Sequence, residues 1–166
     1  MKKLLSGFSI SLLFLLVACN SEKMETKGDE MRDKNLAASH IVNEAFKTGD
    51  ISKIDEAIAS DFVDHTDRGD MNRDSLKTMI QMVHKEFPDM KSQVVKEIAD
   101  SEYVFTLMRW TGNSNGQMGM PVGPYDMQAI EVVRFRDGKA VEHWSYMQPQ
   151  DVVKMMGQMP AEETKK

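Results

Sequence analysis

Cysteine occurs once in the 166 residues, at Cys19. A lone thiol excludes an internal disulfide framework and leaves nothing with which to build a cysteine zinc site. Positive charge is also short: 21 Lys and Arg stand against 26 Asp and Glu, for a net charge of −5. No cluster of basic residues offsets that balance, so the chain is poorly suited to nucleic acid, whose phosphates need grouped Lys and Arg. The glycines between Asn113 and Gly123 follow a strand-like run but open no helix ending in Lys-Ser or Lys-Thr, which excludes a phosphate-binding loop. No serine sits in a nucleophile elbow, and no two histidines have metal-ligand spacing. Internal repeats are absent, and the length suits one domain.

Long apolar runs are confined to the start. Met1, Lys2 and Lys3 are followed by an apolar stretch from Leu4 to Ala18 that stops at Cys19. It is shorter than the roughly 20 residues a membrane-spanning helix needs, and reads as an export leader. Leu16-Val17-Ala18-Cys19 resembles a bacterial lipobox. That resemblance implies lipidation of Cys19, attachment to the cell envelope, and, from Asn20 after the Cys, the outer membrane rather than the inner. Two or more acyl chains would anchor the protein firmly. The alternatives are a leader cut elsewhere or an uncleaved anchor. The expected division is leader 1–18, lipidated Cys and flexible tether 19–34, folded domain 35–160 and polar tail 161–166. The tether reading rests on the polar, charge-mixed text of 20–33, which has too few large apolar residues to fold.

The folded part opens with helical spacing. Leu36, Ile41, Val42, Ala45 and Phe46 share a stripe ended by Gly49-Asp50, and Ile51, Ile54 and Ile58 suggest a short second helix. Asp61 to His65 breaks the period and reads as an extended piece or corner. Leu76, Met79, Ile80, Val83 and Phe87 predict a third helix, with Asp70 or Asn72 as cap and Pro88 as stop. Alternating and β-branched runs then predict strands at Gln93 to Ile98, Tyr103 to Thr111, Met127 to Arg136 and Lys139 to Met147. Asp137-Gly138 is a two-residue hairpin signal. A last short helix is expected from Pro149 to Met159. Helices first and a meander afterwards predict an α+β fold with helices on one face of a curved, mainly antiparallel sheet.

Gly49-Asp50, Asp61-Phe62-Val63-Asp64-His65, Phe87-Pro88-Asp89, Gly119-Met120-Pro121 and the run Val133 to Trp144 together resemble the SnoaL-like polyketide cyclases, often labelled ester cyclases, of the nuclear transport factor 2-like superfamily. The resemblance runs from about Leu36 to Gln158. It implies a cone: three N-terminal helices close one side of a highly curved sheet around an apolar pocket. Relatives use that pocket for aldol ring closure, isomerisation, dehydration or binding alone. They also carry His at the places of His65 and His143, and often dimerise through the outer sheet face. Cyclising relatives commonly place Asp at the position of Ser145 or Gln148, and this chain has neither acid.

Cofactor-free aldol chemistry needs a group that moves protons near neutral pH, and histidine supplies one. His65 and His143 are the first candidates; His40 and His84 read as solvated helix-face residues. Simple pairing across Asp137-Gly138 sets Val132 opposite His143 and Glu131 opposite Trp144. Alternation then puts Glu131, Val133, Phe135, Ala140, Glu142 and Trp144 on one face and Ile130, Val132, Arg134, Val141, His143 and Ser145 on the other. Glu131 and Glu142 either line the pocket as acids or pair with Arg109 or Arg136. Trp110, Trp144, Arg109, Ser145 and Phe62 are the expected ligand contacts, the two imidazoles and two indoles sharing one hollow. The 15 methionines suit adaptable pocket filling better than cuprous coordination. No metal and no cofactor are expected. The leading reading is an envelope lipoprotein that binds a small, largely apolar molecule. The alternatives are a cofactor-independent cyclase, isomerase or hydratase acting on a keto-ester-like substrate, with His65 or His143 as base and Glu131 or Glu142 as acid, and a non-catalytic domain that forms a homodimer.

Overall fold

Sequence and local geometry agree best where hydrophobic spacing is strict. The structure, a computed structural model, describes residues 21–156, with side chains for 27–153. The leader, Cys19 and the polar tail 161–166 lie outside the described residues. Helix α1 (Ser21–Thr48) buries Asn35, Ala38, Ser39 and Ala45, spaced as one helical stripe. It ends at Gly49, whose φ is +73° and whose N–H reaches Ala45 O at 2.8 Å. A Cβ there would lie 2.6 Å from the His84 ring, so glycine also lets α1 approach the next long helix. Residues 21–33, expected as a flexible tether, are helical within α1. Their charges sit at helical spacing: Arg32 meets Asp29 at 2.7 Å and Lys34 meets Glu30 at 2.9 Å. Composition records the charge but not this complementary spacing.

Helix α2 (Ile54–Ala57) is a single turn, and Ile58, expected to extend it, begins strand β1 (Ile58–Thr66). A tight turn closed by Thr66 Oγ1 on Gly69 O at 2.6 Å leads into β2 (Gly69–Asn72), which the sequence reading missed. Helix α3 (Arg73–Glu86) starts where Asn72 Oδ1 accepts the Ser75 N–H at 3.0 Å and stops before Pro88. Strands β3 (Lys91–Ala99), β4 (Tyr103–Ser114), β5 (Gly123–Arg136) and β6 (Lys139–Met147) form the expected meander, and helix α4 (Pro149–Met156) follows. Asp137 and Gly138 take φ of 54° and 77°, as a type I′ hairpin requires.

The sheet corrects the expected cone. It has six strands in the order β2-β1-β6-β5-β4-β3, is mixed because β1 and β6 run parallel, and stays open with β2 and β3 at opposite edges. Nor are the helices a simple N-terminal trio: α3 lies between β2 and β3, and α4 comes last. The β1–β2 hairpin was the missing piece. Helix α3 carries the chain from β2 to the far edge, and three antiparallel steps bring β6 back alongside β1 in the same direction. The fold is α+β with one covered sheet face, where Phe62, Val104, Phe135 and Ala140 pack with Ile54, Leu76 and Ile80 from α2 and α3. Ile54, Ile58 and Ile80 are 0%, 1% and 0% exposed, and each such burial contributes roughly 1.5–3 kcal/mol.

Candidate functional site

A single extra residue decides which side chains meet. Strands β5 and β6 begin in the expected register, Arg136 opposite Lys139 and Phe135 opposite Ala140, but the pairing then shifts to Arg134 with Glu142, Val133 with His143, Val132 with Trp144 and Glu131 with Ser145. Val141 is the bulged residue, and it and Ala140 are both buried, which a regular strand with one covered face does not allow. Because side chains alternate with period two, this slip exchanges the faces of everything beyond it. The expected face assignment is therefore corrected. Glu131, Val133, His143 and Ser145 share the helix-covered face, while Arg134, Val132, Glu142 and Trp144 share the outer one.

The parallel neighbour completes the inner group. Strand β1 sets Asp64 opposite His143 and His65 opposite Trp144, so Asp64 joins the covered face. His143 Nδ1 lies 2.7 Å from Asp64 Oδ1 and its Nε2 lies 2.6 Å from Glu131 Oε2. Glu131 Oε1 accepts the Ser145 hydroxyl at 3.0 Å. Asp64 is 3% exposed, and a carboxylate that deep needs a partner. A neutral imidazole has one donor and one acceptor nitrogen, whereas two carboxylates call for two donors. Burial, the largest single influence on His143, works against its charge. The hydrogen bonds and charges of Asp64 and Glu131 together outweigh it and push the imidazole up from 6.5 to about 9. At neutral pH the group is thus an imidazolium between two carboxylates. Beside it on β4, Thr106 stands across from Glu131 and donates to Glu97, which also holds His40 at 2.9 Å.

His65, Glu142, Trp144 and Arg109 occupy the opposite face. His65 stacks on Trp144 with ring centroids 4.9 Å apart and planes 19° from parallel. Its Nδ1 meets Asp70 at 2.9 Å, while its Nε2 is 3.7 Å from Glu142, too far for a hydrogen bond. Glu142 pairs with Arg134, which holds its carboxyl below the usual range. Arg109 grips Asp126 and Arg136 grips Asp61, so neither arginine pairs with Glu131 or Glu142. Trp110 is on the covered face and Phe62 is in the core. The two imidazoles and two indoles accordingly do not share one hollow; the sheet separates His143 and Trp110 from His65 and Trp144. Asp64 was quoted in the Asp61 to His65 motif but not singled out. Its signal was its spacing of two from Phe62, which puts a carboxylate on a buried face. Among the described residues, no group of three or more His, Cys, Asp or Glu is arranged to hold a metal ion.

The elevated pKa of His143 predicts a pH-dependent stability. The folded value, about 9, exceeds the unfolded one near 6.5, so the contribution is fully present below pH 6.5 and is lost as pH rises through 9. Its size is on the order of 3 kcal/mol. Denaturant unfolding of the wild type and of His143→Gln should show a stability difference that shrinks steadily between pH 6 and pH 10. A difference independent of pH would contradict the charged assignment.

The SnoaL-like polyketide cyclase family profile matches residues 37–158. Among solved structures, IdmH from Streptomyces antibioticus, provisionally named a polyketide cyclase, is 28% identical, with a TM-score of 0.61 over 74% of this chain and 95% of its own. AclR from Streptomyces galilaeus, provisionally named a hydroxylase, is 24% identical, with a TM-score of 0.63 over 78% and 84%. A provisional polyketide cyclase from Bacillus cereus is 21% identical, with a TM-score of 0.62 over 76% and 83%. No functionally curated protein matches the chain. With the profile spanning most of the chain, the protein belongs to the family of SnoaL-like polyketide cyclases.

Proposed function

We propose that the protein is a cofactor-independent acid/base enzyme of the cyclase, isomerase or hydratase type, acting on a small, largely apolar carbonyl compound. The observation that carries this reading is the Asp64–His143–Glu131 arrangement on the covered sheet face. It favours turnover over binding alone because Glu131 supplies the carboxylate that the strand position of Ser145 lacks, 3.0 Å from the serine hydroxyl. His143, with both N–H groups donated, is not the base. Glu131 takes a proton from the carbon next to a carbonyl, breaking the C–H bond and forming an enolate. The enolate carbon then bonds to a second carbonyl carbon, and the resulting alkoxide recovers the proton from Glu131. His143 steadies the carboxylate before and after the transfer, and buried Asp64 fixes the ring and its charge.

The outer face supports a second copy of the chain as partner. Ile98, Phe105, Ile130 and Tyr146 are 62%, 43%, 46% and 58% exposed there, with half-buried Val132 and Trp144 between them. The register makes them neighbours, so they form one apolar patch rather than scattered surface residues. The leader-like start and Leu16-Val17-Ala18-Cys19 support attachment to the bacterial envelope through lipidated Cys19.

Turnover on a panel of β-keto esters and diketones should fall about 10²–10⁴-fold in Glu131→Gln, with His143→Gln similarly impaired and His65→Gln, on the outer face, within about threefold of wild type. Full activity in Glu131→Gln would remove the mechanism. Sedimentation should give twice the monomer mass for the wild type and the monomer mass for Phe105→Glu; a monomeric wild type would refute the dimer. Metabolic labelling with radioactive palmitate should mark the wild type and not Cys19→Ala, whereas an unlabelled wild type would refute the anchor.

A further inference from the structure

A groove of about 470 Å³ runs between the second half of α1 and strands β3 and β4, lined among others by His40, Asn43, Lys47, Ser92, Val94 and Met108. That volume falls in the range of small-molecule sites. Spacings of three and four along α1 bring His40, Asn43 and Lys47 to the same wall. The β3–β4 register sets Ser92 across from Trp110 and Val94 across from Met108, so the opposite wall belongs to the covered sheet face.

Two of the lining side chains each carry an atom that stands out. Asn43 Nδ2 and Ser92 Oγ are closed off from bulk solvent and meet no hydrogen-bond partner from the protein. A buried donor left without an acceptor destabilises the fold, so each calls for a reason. The charges around them are already matched: Lys47 pairs with Glu44 at 3.3 Å and His40 with Glu97 at 2.9 Å. What the groove leaves open is two uncharged donors beside the apolar surface of Met108 and Val94. A carboxylate would find no free cation there, and an ammonium no free anion. The complementary group is a neutral carbonyl oxygen attached to an apolar body.

We propose that this groove is a second subsite, separate from the Asp64–His143–Glu131 cluster, in which Asn43 N–H and Ser92 O–H donate to a neutral carbonyl oxygen of the ligand. The inference rests on the small-molecule reading above but not on turnover. The probes are 2-acetylnaphthalene and 2-ethylnaphthalene, alike in bulk and different in the carbonyl, with affinities measured by calorimetry and the Asn43 side-chain amide followed by NMR. Wild type should bind the acetyl compound at least fivefold more tightly and shift the Asn43 amide resonances. The double variant Asn43→Leu, Ser92→Ala should lose that preference to within twofold. Glu131→Gln should keep it, and it should persist even if no reaction is ever found, which separates this inference from the catalytic one. Ser92→Ala alone should raise the melting temperature, because it removes an unsatisfied hydroxyl. Equal affinity for the two probes in the wild type, binding of neither, a preference that survives the double variant, or a lowered melting temperature in Ser92→Ala would overturn the proposal.

Discussion

A partly buried imidazolium held between two carboxylates is the constraint around which the covered face of the sheet is organised. His143 draws on three strands at once: its own, Asp64 from β1 and Glu131 from β5. Asp64 is buried and the other two are half-buried, so each charge depends on its neighbour. A lone carboxylate at the position of Asp64 would carry an uncompensated charge, and a lone buried imidazole favours its neutral form. Together they leave one net negative charge, spread over hydrogen bonds and eased by the Ser145 hydroxyl. The arrangement is therefore both a strand clasp and a reactive group, and the same charge balance serves the two.

Two departures from regular sheet geometry make the clasp possible. The bulge at Val141 turns His143 toward the helices, and the parallel β1–β6 contact brings Asp64 beside it. Without the bulge, Glu131 and His143 would face opposite sides. Without the parallel contact, the ring would have one carboxylate and one unpaired nitrogen. The core of α2, α3 and the neighbouring strands, with Ile54, Ile58 and Ile80 closed off from solvent, holds both features in place. On the other face, His65 stacked on Trp144 belongs to a surface of different character, apolar and open.

Much of this was legible in the residues, and the failures have physical causes. The stripe from Leu76 to Phe87 and the Asp137-Gly138 turn are local signals, read correctly because neighbours within a few residues determine them. Strand β6 was placed at its true limits, yet its facing was wrong, since Ala140 to Ser145 accommodates either alternation until the bulge is known. The adjacent burial of Ala140 and Val141 was its faint mark. The β1–β2 hairpin and the parallel contact depend on partners far along the chain, so the helices-first order and the cone could not be tested against local pattern. Glu131, His143 and Ser145 were among the candidates; Asp64 was overlooked because its role arises only when β6 arrives beside it. His40 is the exposed helix residue it was taken for, and it also meets Glu97 on the sheet at 2.9 Å.

The protonation of His143 is where the account is most exposed, and ring ¹⁵N NMR reads it directly. At pH 7.5, the account predicts that both His143 nitrogens carry protons, with imidazolium chemical shifts and both protons protected from exchange with solvent. A neutral tautomer at that pH, with one nitrogen unprotonated, would contradict the doubly donating ring and the chemistry derived from it.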